Sequence, residues 1–258
     1  MTSQYSKSLL YLLLLPTVTI SFTRTITSNP ILQFFSPSSR KDTTLRGDAA
    51  LEDALLSAIS DSDTRLTNSD AILSLVTRLE STPSIPRPAV SPAVYGRWRL
   101  LHTTNANTSS PIQRKAVDAS RYEIYQDIVP RTGEEYNDAA TEFLVVSQVV
   151  KFGEDKRLVL DALASTSEYP LEELTERQST GKILGLNLLG VSLVGEEAKE
   201  DPNRPDSRID FVFDEGNFEF GSLKIPYPVP FRNPLFRDLV KGWIDITYLS
   251  DRIRISRG

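Results

Sequence analysis

The chain has 258 residues, 40% of them hydrophobic and 24% charged, with a formal net charge of −5 and no cysteine. Its length allows one large domain or two small ones, with a sizeable core. The acidic balance argues against nucleic acid as a partner, because phosphate binding needs an excess of Lys and Arg. The missing cysteines exclude disulfides, thiol catalysis and thiolate metal sites.

The N-terminal stretch has the composition of a leader. Lys7 precedes Leu9-Leu-Tyr-Leu-Leu-Leu-Leu15, a positive charge followed by an apolar run too short to span a bilayer. Residues 17–41 are rich in Ser and Thr, carry Arg24, Arg40 and Lys41, and contain no acid; the first carboxylate is Asp42. An acid-free, hydroxyl-rich, basic stretch reads as a transit peptide. The expectation is a signal peptide over residues 1–20 and a disordered plastid transit segment over 21–47. The alternative is a plain secretory signal followed by a disordered start of the mature protein.

Leu51, Leu55 and Ile59 fall four apart with Leu56 beside them, which is one helical stripe. Asn68 or Ser69 can cap a second helix, in which Ile72, Leu75, Val76 and Leu79 recur at helical spacing. Residues 48–82 are therefore predicted to form a helical hairpin packed on the rest of the chain; a coiled coil would need more heptads. Pro83, Pro86, Pro88 and Pro92 make residues 83–93 a linker.

From Tyr95 the pattern switches to period two. Gly96-Arg-Trp98 opens a strand in which Trp98, Leu100 and His102 share a face. Residues 109–119 read as a loop or short helix. Residues 122–129 alternate and stop at Pro130, and residues 142–152 and 157–165 flank Gly153-Glu-Asp-Lys156 as a hairpin. Residues 182–194 are apolar around Gly185 and Gly190, a bulged strand or two short ones; residues 196–206 are a charged loop. Ile209, Phe211 and Phe213 then alternate with Asp210, Val212 and Asp214. Asp214-Glu-Gly-Asn217 reads as a turn, after which Phe218 and Phe220 resume the spacing. Ile225-Pro-Tyr-Pro-Val-Pro-Phe231 is stiff, extended and unsuited to a central strand. Some eight or nine short strands in residues 94–258 point to a mainly β fold, an antiparallel barrel or sandwich.

The closing run Gly242-Trp-Ile-Asp-Ile-Thr-Tyr-Leu-Ser-Asp-Arg-Ile-Arg-Ile-Ser-Arg-Gly258 resembles the C-terminal signature of the plastid lipid-associated proteins, or plastid fibrillins. With the Gly-x-Trp strand head and the order of helices and prolines, the resemblance covers residues 48–258. It implies a lipocalin-like antiparallel β-barrel over 94–258, preceded by the short N-terminal helical hairpin. It also implies a plastid protein, associated with plastoglobules or thylakoids, that binds or shields carotenoid, quinone, tocopherol or fatty acid, with no cofactor and no enzymatic role. Members of that family usually continue past Arg-Ile-Ser-Arg-Gly into an apolar strand, so an open seam near residues 252–258, or cover from the N-terminal helices, is expected. Ser250-Asp-Arg stands where many members carry more acid. In lipocalins an Arg from the final strand covers the Trp of the first, which nominates Arg254, or else Arg257, as a brace on Trp98. Against this background the leader resembles the two-part presequence of algae with complex plastids, with Phe22 after the signal cleavage site and Ser21 where Ala is more usual.

Little in the chain suggests catalysis. His102 is the sole histidine and, beside Trp98 and Leu100, reads as structural; a triad or histidine-based zinc site has little to work with. Glu134-Glu135 and Glu172-Glu173 read as solvated acids, and no phosphate-binding glycine loop occurs. The sequon at Asn107 matters only in the secretory lumen. Alternation alone leaves open a solid or a hollow interior; the resemblance favours a hollow one. The candidate lining residues are Trp98, Leu100, Phe143, Val145, Leu158, Leu160, Phe211, Phe213, Phe218, Phe220, Ile246 and Tyr248, with the Pro226–Pro230 stretch at an unfilled end. The expected partners are apolar lipids and a membrane or lipid-droplet surface. The alternatives are a structural coat on plastid lipid droplets with no internal ligand, or an accessory protein of isoprenoid or quinone metabolism.

Overall fold

A computed structural model describes residues 19–24, 48–60, 69–103, 122–132, 142–174, 202–235 and 237–257. Two helices, α1 (Ala49–Ser60) and α2 (Ser69–Glu80), precede most of the sheet. The strands are β1 (Thr19–Arg24), β2 (Gly96–Thr103), β3 (Glu123–Thr132), β4 (Glu142–Gly153), β5 (Lys156–Ser165), β6 (Arg208–Phe220), β7 (Leu223–Pro226), β8 (Lys241–Leu249) and β9 (Ile253–Arg257). Their order is β5-β4-β3-β2-β1-β9-β8-β6-β7, and β5 also pairs with β6. Every pairing is antiparallel. The circuit is thus closed into a barrel, with β7 hanging on β6 outside the ring.

The seam next to β9 is filled by β1. It pairs with β2 from Thr19↔Thr103 to Arg24↔Trp98, and with β9 from Thr19↔Ser256 to Thr23↔Ile253. Residues 21–24, expected to be disordered, are therefore the last four residues of a strand. The rest of the leader lies outside the described residues, as do residues 109–119, 134–135, 182–194 and the sequon at Asn107.

Cross-strand register fixes which side chains face inward, because directly paired residues lie on one face. Trp98 pairs with Gln126, Gln126 with Gln148 and Gln148 with Leu160. Leu160 pairs with Gly216 across a bulge, and Phe211 with Gly242. The opposite face of β8 and β9 is covered by the helices: Tyr248, Ile253 and Ile255 are buried with Leu55, Ile59, Ile72, Val76 and Leu79. Tyr248 donates to Glu52 Oε1 at 2.8 Å, and Arg252 pairs with Asp53 at 2.6 Å, so α1 is tied to the sheet by polar contacts as well as apolar burial. The proline linker forms two 3₁₀ turns, Pro88–Val90 and Pro92–Val94. Ala89 and Val94 are fully buried, and the Trp98 indole N–H donates to the Val94 carbonyl at 2.7 Å. These turns stopper the barrel at the Trp98 end.

One sequence expectation about β6 changes. Asp214-Glu-Gly-Asn217 does not turn the chain: β6 runs on to Phe220 and absorbs the extra residue as a bulge opposite Asp161 and Ala162. The turn comes at Gly221, whose φ of +59° suits glycine.

Candidate ligand-binding interior

The inner surface is mostly apolar, with Leu100, Ile124, Val146, Leu158, Leu160 and Ile246 all buried. Near the stoppered end lies a polar layer. Arg254 is completely buried, places its guanidinium carbon 5.2 Å from the Trp98 ring centroid, and donates to Gln126 Oε1. Burial pushes the Arg254 pKa down to about 9. Ser256, also inward on β9, keeps a buried hydroxyl with no hydrogen-bond partner.

Several inward-facing side chains are not fully covered. Gln126, Gln148, Phe211, Phe213 and Phe218 point to the interior by register and remain part-exposed. Phe211, Phe213 and Phe218 pack against the buried core cluster without being fully covered by it.

The barrel wall also splits. One edge of β6 pairs with β8 over Arg208 to Val212 and with β7 only from Asn217 to Phe220. In the gap the Phe213 carbonyl accepts from Arg237 at 3.1 Å, and the Gly216 carbonyl accepts from the Tyr227 N–H at 2.7 Å. Here the proline stretch folds inward, burying Tyr227, Val229 and Phe231. Proline's missing donor explains why this segment contributes side chains and not a stave. Tyr227 and Phe231 stack at 5.9 Å and 5°, with Phe218 at 5.4 Å from Tyr227 and Phe213 at 5.8 Å from Phe231. Gly216 makes this possible: a Cβ there would lie 2.8 Å from both Leu160 and Tyr227 and 3.0 Å from Phe231. At the end away from Trp98, Phe152, Phe220, Leu223 and Ile225 are exposed, at 43% to 57%.

The PAP_fibrillin family model matches residues 49–161 of this chain. A relative from Arabidopsis thaliana, "Probable plastid-lipid-associated protein 12, chloroplastic", is 34% identical over 190 residues, covering 72% of this chain. The chain belongs to the plastid fibrillin family. It spans 35% of that relative's length. No solved structure matches it.

Within this fibrillin barrel, Trp98, Leu100, Leu158, Leu160, Phe211, Phe213, Phe218 and Ile246 face one interior. Three expectations are corrected. Phe143 and Val145 lie on the outer face of β4, since Leu144 and Val146 are the residues in register with inward Ala164 and Ala162. Tyr248 is turned outward to the helices, because a register shift between Ile246 and Tyr248 inserts Thr247. Phe220 follows the inward alternation but sits beyond the barrel rim, 43% exposed. The outer residues Phe143 and Val145 instead floor a groove of about 470 Å³ with Leu163, rimmed by Arg131, Asp161, Asp214 and Arg232. Asp214 is held by both ends of the Arg232 guanidinium fork, at 3.1 and 2.7 Å. Glu173 serves structure in the same way, accepting from Arg237 at 2.7 and 2.9 Å.

Gln126, Gln148, Gly216, Phe231 and Ser256 are interior residues that the sequence expectation omitted, and Tyr227 comes from the Pro226–Pro230 stretch, which was expected at an unfilled end and is folded inward instead. The alternation of Ile124 and Ile128 carries the signal for Gln126; nothing local marks Tyr227. Among the described residues no three of His, Cys, Asp and Glu converge to hold a metal ion.

Proposed function

We propose that this chain is a plastid lipid-associated protein that takes the apolar body of an isoprenoid or acyl lipid into its barrel at a plastoglobule or thylakoid surface. The observation that carries this reading is the part-exposed inward ring of Phe211, Phe213 and Phe218. Part-exposed apolar side chains gain roughly 25 cal/mol per Å² when a ligand removes that surface from water. The split between β7 and β8 supplies the entrance. The exposed Phe152, Phe220, Leu223 and Ile225 suit a lipid surface. The name of the Arabidopsis relative agrees with a plastid address and lipid association.

The test is mass spectrometry of the organic extract from purified protein, set against an unrelated plastid protein, followed by titration with a quinone, a carotenoid and a fatty acid monitored by Trp fluorescence. Phe211→Asp should abolish binding. A reading as a coat without internal ligand is favoured by the exposed apolar rim alone; it takes over if vesicles or droplets are bound while no small lipid binds below the millimolar range. For the address, residues 1–47 fused to a fluorescent protein should carry it into the plastid; fluorescence confined to the secretory route removes that part of the proposal.

A further inference from the structure

The interior contains a hydrogen-bonding group that the folded chain leaves unused. Tyr227 is 5% exposed, and its hydroxyl has no hydrogen-bond partner. Its ring neighbours are apolar: Phe218 and Phe231 lie 5.4 and 5.9 Å away, centroid to centroid, and the Gly216 backbone approaches its Cβ. A hydroxyl taken from water into such surroundings without a partner is destabilising, and phenylalanine would fill the same volume without that cost. Burial alone pushes the phenol pKa up to about 12, so the group keeps its proton and can donate throughout the neutral range. The side chain belongs to the stretch that crosses the split in the wall, which is where an incoming ligand would pass.

We propose that Tyr227 is the polar anchor of the interior site, donating its hydroxyl hydrogen to a carbonyl oxygen on an uncharged lipid with a flat, conjugated head. The donor selects an acceptor oxygen over a plain hydrocarbon. The aromatic walls of Phe213, Phe218 and Phe231 favour a planar head that can stack against them. A quinone-type head satisfies both requirements; an all-hydrocarbon polyene satisfies only the second. This inference rests on the lipid-binding reading above and narrows it to a ligand class.

The experiment compares the full chain with Tyr227→Phe, using a decyl-substituted benzoquinone and β-carotene as probes, with thermal unfolding measured alongside. Expected is a loss of quinone affinity of about 3- to 10-fold, the range of one neutral hydrogen bond, with β-carotene affinity unchanged within about 2-fold and a melting temperature equal to or above that of the parent. Better stability with poorer binding of one probe is a pair of signs that a purely structural tyrosine cannot produce. Ser256→Ala, which removes the other buried hydroxyl without a partner among the described residues, should leave quinone affinity unchanged. If the quinone binds the parent and Tyr227→Phe equally, or if Ser256→Ala alone weakens it, the anchor assignment is overturned while lipid binding stands. If neither probe binds the parent chain, both are overturned.

Discussion

Arg254 lies across the face of Trp98 with its guanidinium carbon 5.2 Å from the ring centroid, and neither residue has any exposed surface. A desolvated cation over an indole gains about 2 kcal/mol, yet burial also disfavours the charge and draws the Arg254 pKa down to about 9. The two electrostatic effects oppose each other, so the brace holds mainly by filling the stoppered end. Arg254→Met, which keeps most of the volume, should change stability by less than about 1 kcal/mol. Both variants deprive Gln126 Oε1 of its donor, but Arg254→Ala also leaves a void under Trp98 and should cost about 2–4 kcal/mol. Urea midpoints at constant slope measure both; equal losses would show that the charge, not the volume, is what matters.

Two inward glycines make opposite demands. A Cβ at Gly216 would meet Leu160 and the Cβ of Tyr227 at 2.8 Å, close to the backbone of the proline stretch. A Cβ at Gly242 would meet the tip of the Phe211 ring at 2.5 Å. The Phe211 ring is part-exposed and can shift by a side-chain rotation; the proline stretch cannot move without leaving the core. Gly216→Ala should therefore cost about 1–3 kcal/mol and expose Tyr227 and Phe231 to solvent, while Gly242→Ala should cost less than half of that. Thermal unfolding ranks them, and the reverse order would mean that the interior is tightly filled around Phe211.

The strand β1 carries a third prediction. It pairs on both edges, so a proline in it removes a ladder hydrogen bond from the seam. Thr23→Pro should lower the melting temperature by several degrees, as expected for a loss of roughly 1–2 kcal/mol in a chain of this size. Thr23 and Arg99 are Cα partners in the β1–β2 ladder. The chain has no cysteine of its own, so a Thr23→Cys, Arg99→Cys double variant should form a single internal disulfide on mild oxidation, read by peptide mapping. Thiols that stay free, with a melting temperature indifferent to Thr23→Pro, would remove β1 from the seam.

How much of the fold is legible in the sequence depends on how one-sided each pattern is. In β2 the run Arg97-Trp-Arg-Leu100 alternates charged and apolar residues, so the face carrying Trp98, Leu100 and His102 is readable from the residues alone, although Leu101 on the other face is apolar too. The helical stripes of Leu55 with Ile59 and of Ile72 with Val76 are equally one-sided. In β4, Phe143-Leu-Val-Val is apolar on both faces, because both are buried, and alternation has nothing to choose between. At Ile246 and Tyr248 the spacing rule is sound but the register is not constant: one inserted residue reverses every later side chain. The same event in β6 makes Asp214-Glu-Gly-Asn217 a bulge where its composition suggests a turn. For Thr19–Arg24 the leader-like composition conceals a strand whose partners lie far along the chain, and no local signal announces such pairing.

The last prediction concerns acid. Glu80 ends α2 and accepts from Arg257 Nε at 2.8 Å, from the other arm of the same guanidinium at 2.7 Å and from the Thr247 hydroxyl at 2.6 Å. Burial tends to raise its pKa, but the hydrogen bonds from Arg257 and Thr247 and the charges of Arg257 and Arg204 outweigh it and hold the carboxyl below its ordinary value of 4.5. A carboxylate whose folded pKa is depressed binds fewer protons than in the unfolded chain. Its contribution is therefore complete above about pH 4.5 and is lost as pH falls through the folded value. The Arg257 side chain is 45% exposed, so solvent screening limits the link to about 1 kcal/mol. Glu80→Gln should lose that amount at pH 7 and show a shallower decline of stability below pH 4.5 than the parent. Because Glu80 joins the helical hairpin to β8 and β9, the parent's acid transition should begin with the helices detaching, detected by hydrogen exchange in α2 before exchange in β3 and β4. Parallel acid limbs for the two proteins would place the acid sensitivity elsewhere, with Glu219, depressed by its hydrogen bond from Arg157, the next carboxylate to replace.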